Sequence, residues 1–333
     1  MPDNKDLNKA NRNKKDEFYT QLTDIEKELR HYTEHFENKI VFCNCDDPET
    51  SNFWLYFQLN FERLKLKKLV STHFEDSKPS YKLELVEDVN KDGHINKLDI
   101  VQTKLKQNGD FRSPECIEIL KEADIIVTNP PFSLFREYIA QLFEYDKKFL
   151  IIGNINAVKY KEIFPYVMAN KVWLGQSIHS GDREFCVPDS YPLKAAGCRI
   201  DENGKRYIRV KGVRWFTNLE YKERHEDIIL YKKYNEEDYP KYDNYDAIEV
   251  SKTSEIPIDY DGIMGVPITF IDKFNPDQFE LLGMTDRQNT SGLRTKKYTI
   301  DDMENFNDMN ASCVLLKDGE YKSLYTRFLI KRK

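Results

Sequence analysis

Asn129, Pro130, Pro131 and Phe132 lie near the end of the stretch ADIIVTNPPFS and carry the most specific chemistry in the chain. Proline has no N–H, fixes its own φ and drives the preceding residue into extended geometry. Asn129 is therefore held straight, and Pro130 likewise by Pro131. Such a turn is stiff and rich in acceptors. It can aim the Asn129 side-chain oxygen and the Pro130 carbonyl at the two hydrogens of one exocyclic amino group while Phe132 stacks on the ring that carries it. An amino nitrogen of this kind is a poor nucleophile, because its lone pair is delocalised into the ring. Two acceptors favour pyramidalisation and free the lone pair for in-line attack on an electrophilic methyl, without a conventional basic side chain. The methyl donor would be S-adenosylmethionine. A base stacked in a duplex cannot reach such a pocket, so the target would be flipped out, with Phe132 replacing part of the lost stacking. The residues alone leave adenine N6, cytosine N4 and a glutamine amide open. The plainer alternative is a strand-to-helix loop stiffened by prolines.

The turn needs a strand before it and a helix after it. Ile125, Ile126 and Val127 form a β-branched run suited to a buried parallel strand, and SLFREYIAQLFEYD places Leu134, Tyr138, Ile139 and Leu142 on one helical side. Upstream, Leu22, Ile25, Leu29, Tyr32 and Phe36 recur at helical spacing. KIVFCNCDDPE reads as a strand, Phe53, Phe57, Phe61 and Leu64 as a helix face, and LKLKKLVSTHF as a second strand. YKLELVED and HINKLDIVQT read as strands around a turn, and Pro114 opens a helix before the ADIIVT strand. KFLIIGN, AVKYKEIFPYVMANK and VWLGQ continue as strand, helix and strand. This alternation predicts an α/β fold with a doubly wound, mostly parallel sheet and ligands at the carboxyl ends of its strands. After about residue 175 the pattern changes to strand-like pieces such as RYIRVKGVRWFTNL, GVPITFIDKF, QFELLGMT and SLYTRFLIKRK, which predict a β-rich second region.

Composition narrows the function classes. The 333 residues carry a net charge of −6, and no apolar run approaches the ~20 residues needed to span a bilayer. The N-terminal MPDNKDLNKANRNKKDE lacks the apolar core of a secretory signal, so no membrane partner and a cytoplasmic location are expected. Six cysteines show neither CxxC pairs nor repeated spacing, which argues for reduced thiols and no zinc knuckle. Between Lys194 and Arg214 seven basic residues face only Asp201 and Glu202, and the NGK turn there suggests a basic hairpin. DVNKDGHINKLD, with Asp88, Asn90, Asp92, Gly93 and Asp99, fits a calcium-loop pattern, but its flanks alternate like strands and a hairpin turn is expected instead. HYTEH fits an inverted zinc-protease signature, yet the helix has its apolar stripe elsewhere and no later acidic ligand has a recognisable context. No metal is expected.

Taken together, KKDEFYTQ, FCNCDDPETSNFWLYF, NGDFRSPECIEIL, TNPPF, VKYKEIFP, GVRWFTNLE, GVPITFIDKFNPDQFELLG and YTRFLIKRK resemble the EcoRI-type adenine-specific DNA methyltransferases over nearly the whole chain. The resemblance implies a Rossmann-like core and transfer of a methyl group from S-adenosylmethionine to adenine N6 in a specific duplex DNA sequence. It places the enzyme in a type II restriction-modification system or an orphan or phage equivalent, acting on nucleoid DNA as a monomer. Phe18, Tyr19 and Thr20 then belong to an N-terminal segment that closes over the cofactor, and Asn44, Cys45, Asp46 and Pro48 to the first cofactor loop. Asp110 would accept from the cofactor's amino group and Phe111 would pack on its ring, with Asn129 also touching the cofactor. Glu75 is the candidate for the ribose hydroxyls. Asn129, Pro130, Pro131 and Phe132 form the catalytic turn. The order of these segments resembles the gamma arrangement of amino-methyltransferases.

The first loop departs from the wider superfamily in having no glycine, which leaves the backbone approach to the cofactor to be made some other way. For DNA, Lys205, Arg206, Arg209, Lys211 and Arg214 are the expected phosphate contacts, and Arg287, Gln288, Asn289 and Arg294 in RQNTSGLR the expected sequence readers. A tail at 1–13, a catalytic domain at 14–220 and a target-recognition region at 221–333, from which strands could return to the core, complete the expectation. RNA adenine or a protein glutamine as substrate, and a non-catalytic DNA-binding module, are the alternatives. The recognition site, GAATTC or another, is not legible.

Overall fold

The protein is represented by a computed structural model that describes residues 18–45, 47–76, 78–179, 181–187, 189, 191, 193 and 197–333. Asp46, Lys194 and the 1–13 tail lie outside the described residues. The chain divides into two compact units, one of Met1–Ala157 with Leu174–Glu220, the other of Val158–Trp173 with Tyr221–Lys333.

The first unit is α/β, built on a large mixed sheet. Its strands are β1 (Ile40–Cys43), β2 (Lys68–Thr72), β3 (Tyr81–Leu85), β4 (Val101–Lys104), β5 (Ile125–Thr128), β6 (Lys148–Asn154), the short β7 (Trp173–Leu174) and β11 (Val213–Thr217), in the order β4-β3-β2-β1-β5-β6-β11-β7. Strands β2, β1, β5 and β6 run parallel and form the centre. β3, β4 and β11 join antiparallel. β1 and β5 are buried along their whole length, as continuous apolar runs covered on both faces should be. The helices are α1 (Leu22–Leu29), α2 (Asn52–Leu59), α3 (Pro114–Glu122) and α4 (Phe135–Glu144). Ser51 caps α2 by accepting from the Phe53 and Trp54 N–H groups, and Ser113 caps α3 with Pro114 in its first turn, where the missing N–H costs nothing. Ile25, Leu29, Tyr32, Phe36, Phe53 and Phe57 are all buried, so the helical stripes read from spacing do face the core.

Several segments differ from expectation, while the calcium-like loop takes the expected hairpin form. The stripe Leu22 to Phe36 is an α-helix only to Leu29, followed by a 3₁₀ turn at Thr33–Phe36. His31 and His35 therefore share no α-helix, and the His35 ring lies 2.7 Å from the Glu220 carbonyl. The segment 155–171 is a 3₁₀ stretch and a short helix, because Pro165 cannot sit inside a longer one. RYIRVKGVRWFTNL is two strands in two sheets: Gly212, at φ +70°, separates β10 (Arg206–Lys211) from β11. β10 pairs with β8 (Asp182–Val187) and β9 (Arg199–Ile200) in a small antiparallel sheet, and the expected basic hairpin is β9-β10, turned at Asp201 and Gly204. The calcium-like loop joins antiparallel strands rather than helices. Its carboxylates bond backbone N–H groups, Asp88 to Asp92 and Gly93, and Asp99 to Val89, Asn90 and Asn96. Among the described residues no group of three or more His, Cys, Asp or Glu side chains could hold a metal ion, and no helix is long and apolar enough to cross a membrane.

The second unit contains α5 (Phe164–Met168), α6 (Phe306–Met309) and a four-stranded sheet of β12 (Ile248–Glu249), β13 (Met264–Pro267), β14 (Phe279–Met284) and β17 (Arg327–Arg332) in the order β12-β13-β17-β14. A hairpin of β15 (Val314–Lys317) and β16 (Glu320–Ser323) is separate from that sheet. Half-buried Arg327 ties β17 to β12 through buried Glu249, with Nη2 2.8 Å from its carboxylate, and Tyr242 donates to the same carboxylate.

Candidate active site

The strand order reverses between the parallel strands β1 and β5: from β1 the chain moves outward to β2, and β5 returns on the opposite side. Such a switch point, where loops leaving neighbouring strands diverge, is the usual place for a ligand in this class of sheet. The NPPF turn leaves β5 at that point. Asn129 is only 4% exposed, Pro130 is buried, and Phe132 is half-buried at the start of a 3₁₀ turn leading into α4. The Asn129 side-chain nitrogen donates to the Phe18 carbonyl. Its side-chain oxygen is buried with no partner among the described residues. Buried acceptors in native proteins are rarely left so, and an unpaired one at the carboxyl end of a strand beside a switch point is consistent with a donor supplied by a ligand.

The N-terminal segment packs directly on this turn. The Phe18 ring meets Phe132 edge-on at 5.6 Å and also touches Phe185 and Tyr191. Tyr19 pairs with Cys186 of β8 through two backbone hydrogen bonds, of 2.9 and 3.1 Å. Thr20 is buried, with its carbonyl taken by Asn52 and its hydroxyl without a partner among the described residues.

The first loop answers the question of its missing glycine. Cys45 adopts φ +67°, the left-handed conformation a glycine would ordinarily supply. Neighbouring bonds hold it there: the Asn44 carbonyl accepts from the Thr128 hydroxyl, and the Asn44 side-chain oxygen accepts from the Tyr138 hydroxyl. Burial pushes the Tyr138 phenol well above its ordinary range, so it remains a donor. Pro48 is buried in the same loop.

The adenine-loop candidates approach from β2's side. Gly109 sits at φ +80°, and a Cβ there would collide with the His73 carbonyl at the end of β2. The Glu75 N–H bonds the Asn108 carbonyl at 2.8 Å, so Glu75 borders this loop. Phe111 is buried, edge-on to Tyr138 at 5.1 Å, with its carbonyl held by Gln141. The Asp110 carboxylate is gripped by Arg112, Nε at 2.8 Å and Nη2 at 2.6 Å, and also accepts from the Arg112 N–H. Those three bonds leave it little capacity to accept from a ligand. Phe18 is thus linked to Asn129, and Asn44 and Phe111 meet at Tyr138, while the Asp110 carboxylate is held by Arg112.

The expected DNA contacts divide by exposure. Lys205, Arg209 and Lys211 are exposed, with Arg209 and Lys211 on one face of β10. Arg206 is half-buried and donates to the Tyr191 carbonyl. Arg214 departs from expectation: it is 4% exposed, and its guanidinium donates to the Val213 and His179 carbonyls. In the second unit Arg287 and Gln288 are exposed, although Arg287 also bonds the Asn307 carbonyl. Asn289 is buried between Lys159 and Asp286, and Arg294 is engaged by Tyr245 and the Asp286 carbonyl. Sequence reasoning missed Tyr138, Thr128 and Arg112 as polar parts of the site. A tyrosine in an otherwise apolar stripe was the one signal for the first.

The family described as adenine-specific methyltransferase EcoRI matches residues 6–333. The type II methyltransferase M.EcoRI of Escherichia coli is 51% identical over 292 residues, covering 84% of this chain and 89% of its own. A type II methyltransferase of Mycoplasma genitalium is 40% identical over 334 residues, covering 98% of each chain. M.MpnI, a type II methyltransferase of Mycoplasma pneumoniae, is 42% identical over 281 residues, covering 83% and 84%. No solved structure gives a significant match. With the match running over almost its whole length, the chain belongs to the EcoRI-type adenine-specific methyltransferase family.

Proposed function

We propose that the protein methylates adenine N6 at a specific sequence in duplex DNA, using S-adenosylmethionine, as the modification enzyme of a type II restriction system or an unpaired equivalent. The observation that carries the reading is the buried, unpartnered Asn129 side-chain oxygen at the carboxyl end of β5, beside Pro130 and Phe132, in a chain of this family. S-adenosylmethionine, when bound, supplies an electrophilic methyl on a sulfonium. The residues fit it: Thr20 offers an unpartnered buried hydroxyl, Asn44 and Cys45 a tightly turned loop, and Phe111 a buried ring. Glu75 borders the same loops and is the carboxylate assigned to the ribose.

On the target side, Asn129 Oδ1 and the Pro130 carbonyl accept from the amino group, and Phe132 stacks on the flipped base. The two acceptors orient the nitrogen lone pair toward the methyl and stabilise positive charge as it develops there. The buried strand ends exclude water. Arg209 and Lys211, exposed on β10, are assigned to phosphates, and Arg287 and Gln288 in the second unit to sequence readout. Residues 14–220 are assigned to catalysis and 221–333 to target recognition; the grouping of Val158–Trp173 with the second unit adds that segment to the recognition side.

The test is transfer of labelled methyl groups to duplex DNA, RNA and peptide, followed by nucleoside analysis. N6-methyladenine in duplex DNA is the expected product. Label confined to RNA or to a glutamine amide would reassign the substrate.

A further inference from the structure

We infer that the backbone carbonyl of Phe18 orients the Asn129 amide for transfer, which makes the N-terminal strap a positioning element for catalysis as well as a cover; this rests on the reading of Asn129 given above. A carbonyl oxygen can only accept a hydrogen bond, so the amide end facing Phe18 must be the nitrogen. The oxygen is thereby turned the other way, where it is buried and unpartnered. The two ends of an amide are nearly alike in shape. Without the Phe18 carbonyl the group could turn over and present N–H donors to the target's own N–H donors.

The strap is held firmly enough for this task. Each of its three residues is fixed by a different contact: Phe18 by the rings of Phe132, Phe185 and Tyr191, Tyr19 by the paired backbone of Cys186, and Thr20 by the Asn52 amide. The Phe18 ring also meets the Phe132 ring at 84°, so one residue sets both the acceptor and the stacking ring of the turn. β8, on which Tyr19 docks, has β10 as its other neighbour, and β10 carries the exposed Arg209 and Lys211.

The test uses N129D. Ionised, an aspartate would set one of its oxygens against the Phe18 carbonyl oxygen, lone pair to lone pair. Protonated, it reproduces the amide: the O–H donates to Phe18 and the remaining oxygen accepts from the target. Burial and the facing carbonyl raise the pKa of such a carboxyl. The quantity to measure is the single-turnover rate of N129D relative to the wild type, at saturating DNA and S-adenosylmethionine, from about pH 6 to about pH 9. Above that pKa the ratio should fall about tenfold per pH unit. Taking the ratio cancels titrations common to both proteins. On the packed elements, burial raises the Tyr138 phenol and the Cys186 thiol above their ordinary values, and the charged side chains there are Asp182, Arg183 and Glu184 of β8 and Arg136, Glu137 and Glu144 of α4.

F18A provides the second readout, since it loosens the strap without touching position 129. Its single-turnover rate at saturation should drop about tenfold or more, with DNA affinity unchanged. A ratio for N129D that stays flat or rises with pH, or an unchanged saturating rate in F18A, overturns the inference. If N129D transfers at no pH, F18A decides alone. Full activity in N129A would instead overturn the underlying reading of the turn.

Discussion

Replacing Tyr138 by Phe deletes one oxygen at the junction of three loops. Tyr138 is fully buried and Asn44 is 2% exposed, so water cannot take over the lost hydrogen bond. The ring and its edge-on contact with Phe111 remain, which confines the perturbation to the hydroxyl's own partners, chiefly the Asn44 side-chain oxygen and also the Cys45 thiol. A buried acceptor stripped of its donor costs about 1–3 kcal/mol. Where that cost shows depends on the loop. If Asn44 and Cys45 hold their conformation, the folded state bears it, and at about 2 °C per kcal/mol for a domain of this size the melting temperature falls by roughly 2–6 °C. If the loop relaxes, binding must restore it, and S-adenosylhomocysteine affinity weakens by up to roughly 100-fold. Calorimetry and a thermal melt on the same preparation capture both. The two effects together should account for at least about 1 kcal/mol. A melting temperature within about 1 °C of wild type together with an affinity within about twofold would refute the role given to this hydroxyl. Adding Thr128→Val, which removes the second bond to Asn44, should be non-additive with Tyr138→Phe by more than about 0.5 kcal/mol.

Gly109→Ala combines left-handed strain of about 1–2 kcal/mol with a collision against the His73 carbonyl, and should weaken S-adenosylhomocysteine binding at least about tenfold by titration calorimetry. Arg209→Ala should lower the slope of log DNA affinity against log salt by about 1. Arg214→Ala, whose side chain bonds two backbone carbonyls while buried, should leave that slope unchanged and cost about 1–3 kcal/mol of stability in a denaturant titration. For Glu84, burial raises the carboxyl pKa, but hydrogen bonds and charge from Lys68 and Lys82, each 2.7 Å away, outweigh it and leave the pKa below the ordinary value. Its stabilisation is therefore present above the unfolded carboxylate pKa and lost as pH falls through the folded one, and Glu84→Gln should flatten the acid limb of stability against pH.

The central strands and their flanking helices were legible because β-branched runs and helical apolar spacing agree there with the buried faces: every residue of β5 is buried, as are Ile25, Leu29, Phe53 and Phe57, whereas HINKLDIVQT, expected as one strand, is a 3₁₀ turn at Lys97–Asp99 and the exposed β4. The site's turn was legible because Asn-Pro-Pro-Phe restricts its own backbone. What escaped was tertiary. The bond from Asn129 to Phe18 spans 111 residues, and nothing local in either segment announces it. The left-handed Cys45 is imposed by partners on β5 and α4, so residue type alone gave no sign of it. Arg214 looked like its basic neighbours, but it lies beyond the Gly212 kink, in a strand of the main sheet, where alternation no longer carries side chains to solvent.

The most direct test of the central claim is methyl transfer by Asn129→Ala to a duplex carrying the recognition sequence, followed under single-turnover conditions with S-adenosylhomocysteine affinity measured alongside. Loss of the paired acceptor should slow transfer by at least about 100-fold while cofactor affinity changes little. Wild-type transfer in that variant would contradict the account, because the amino group would then need no acceptor from position 129.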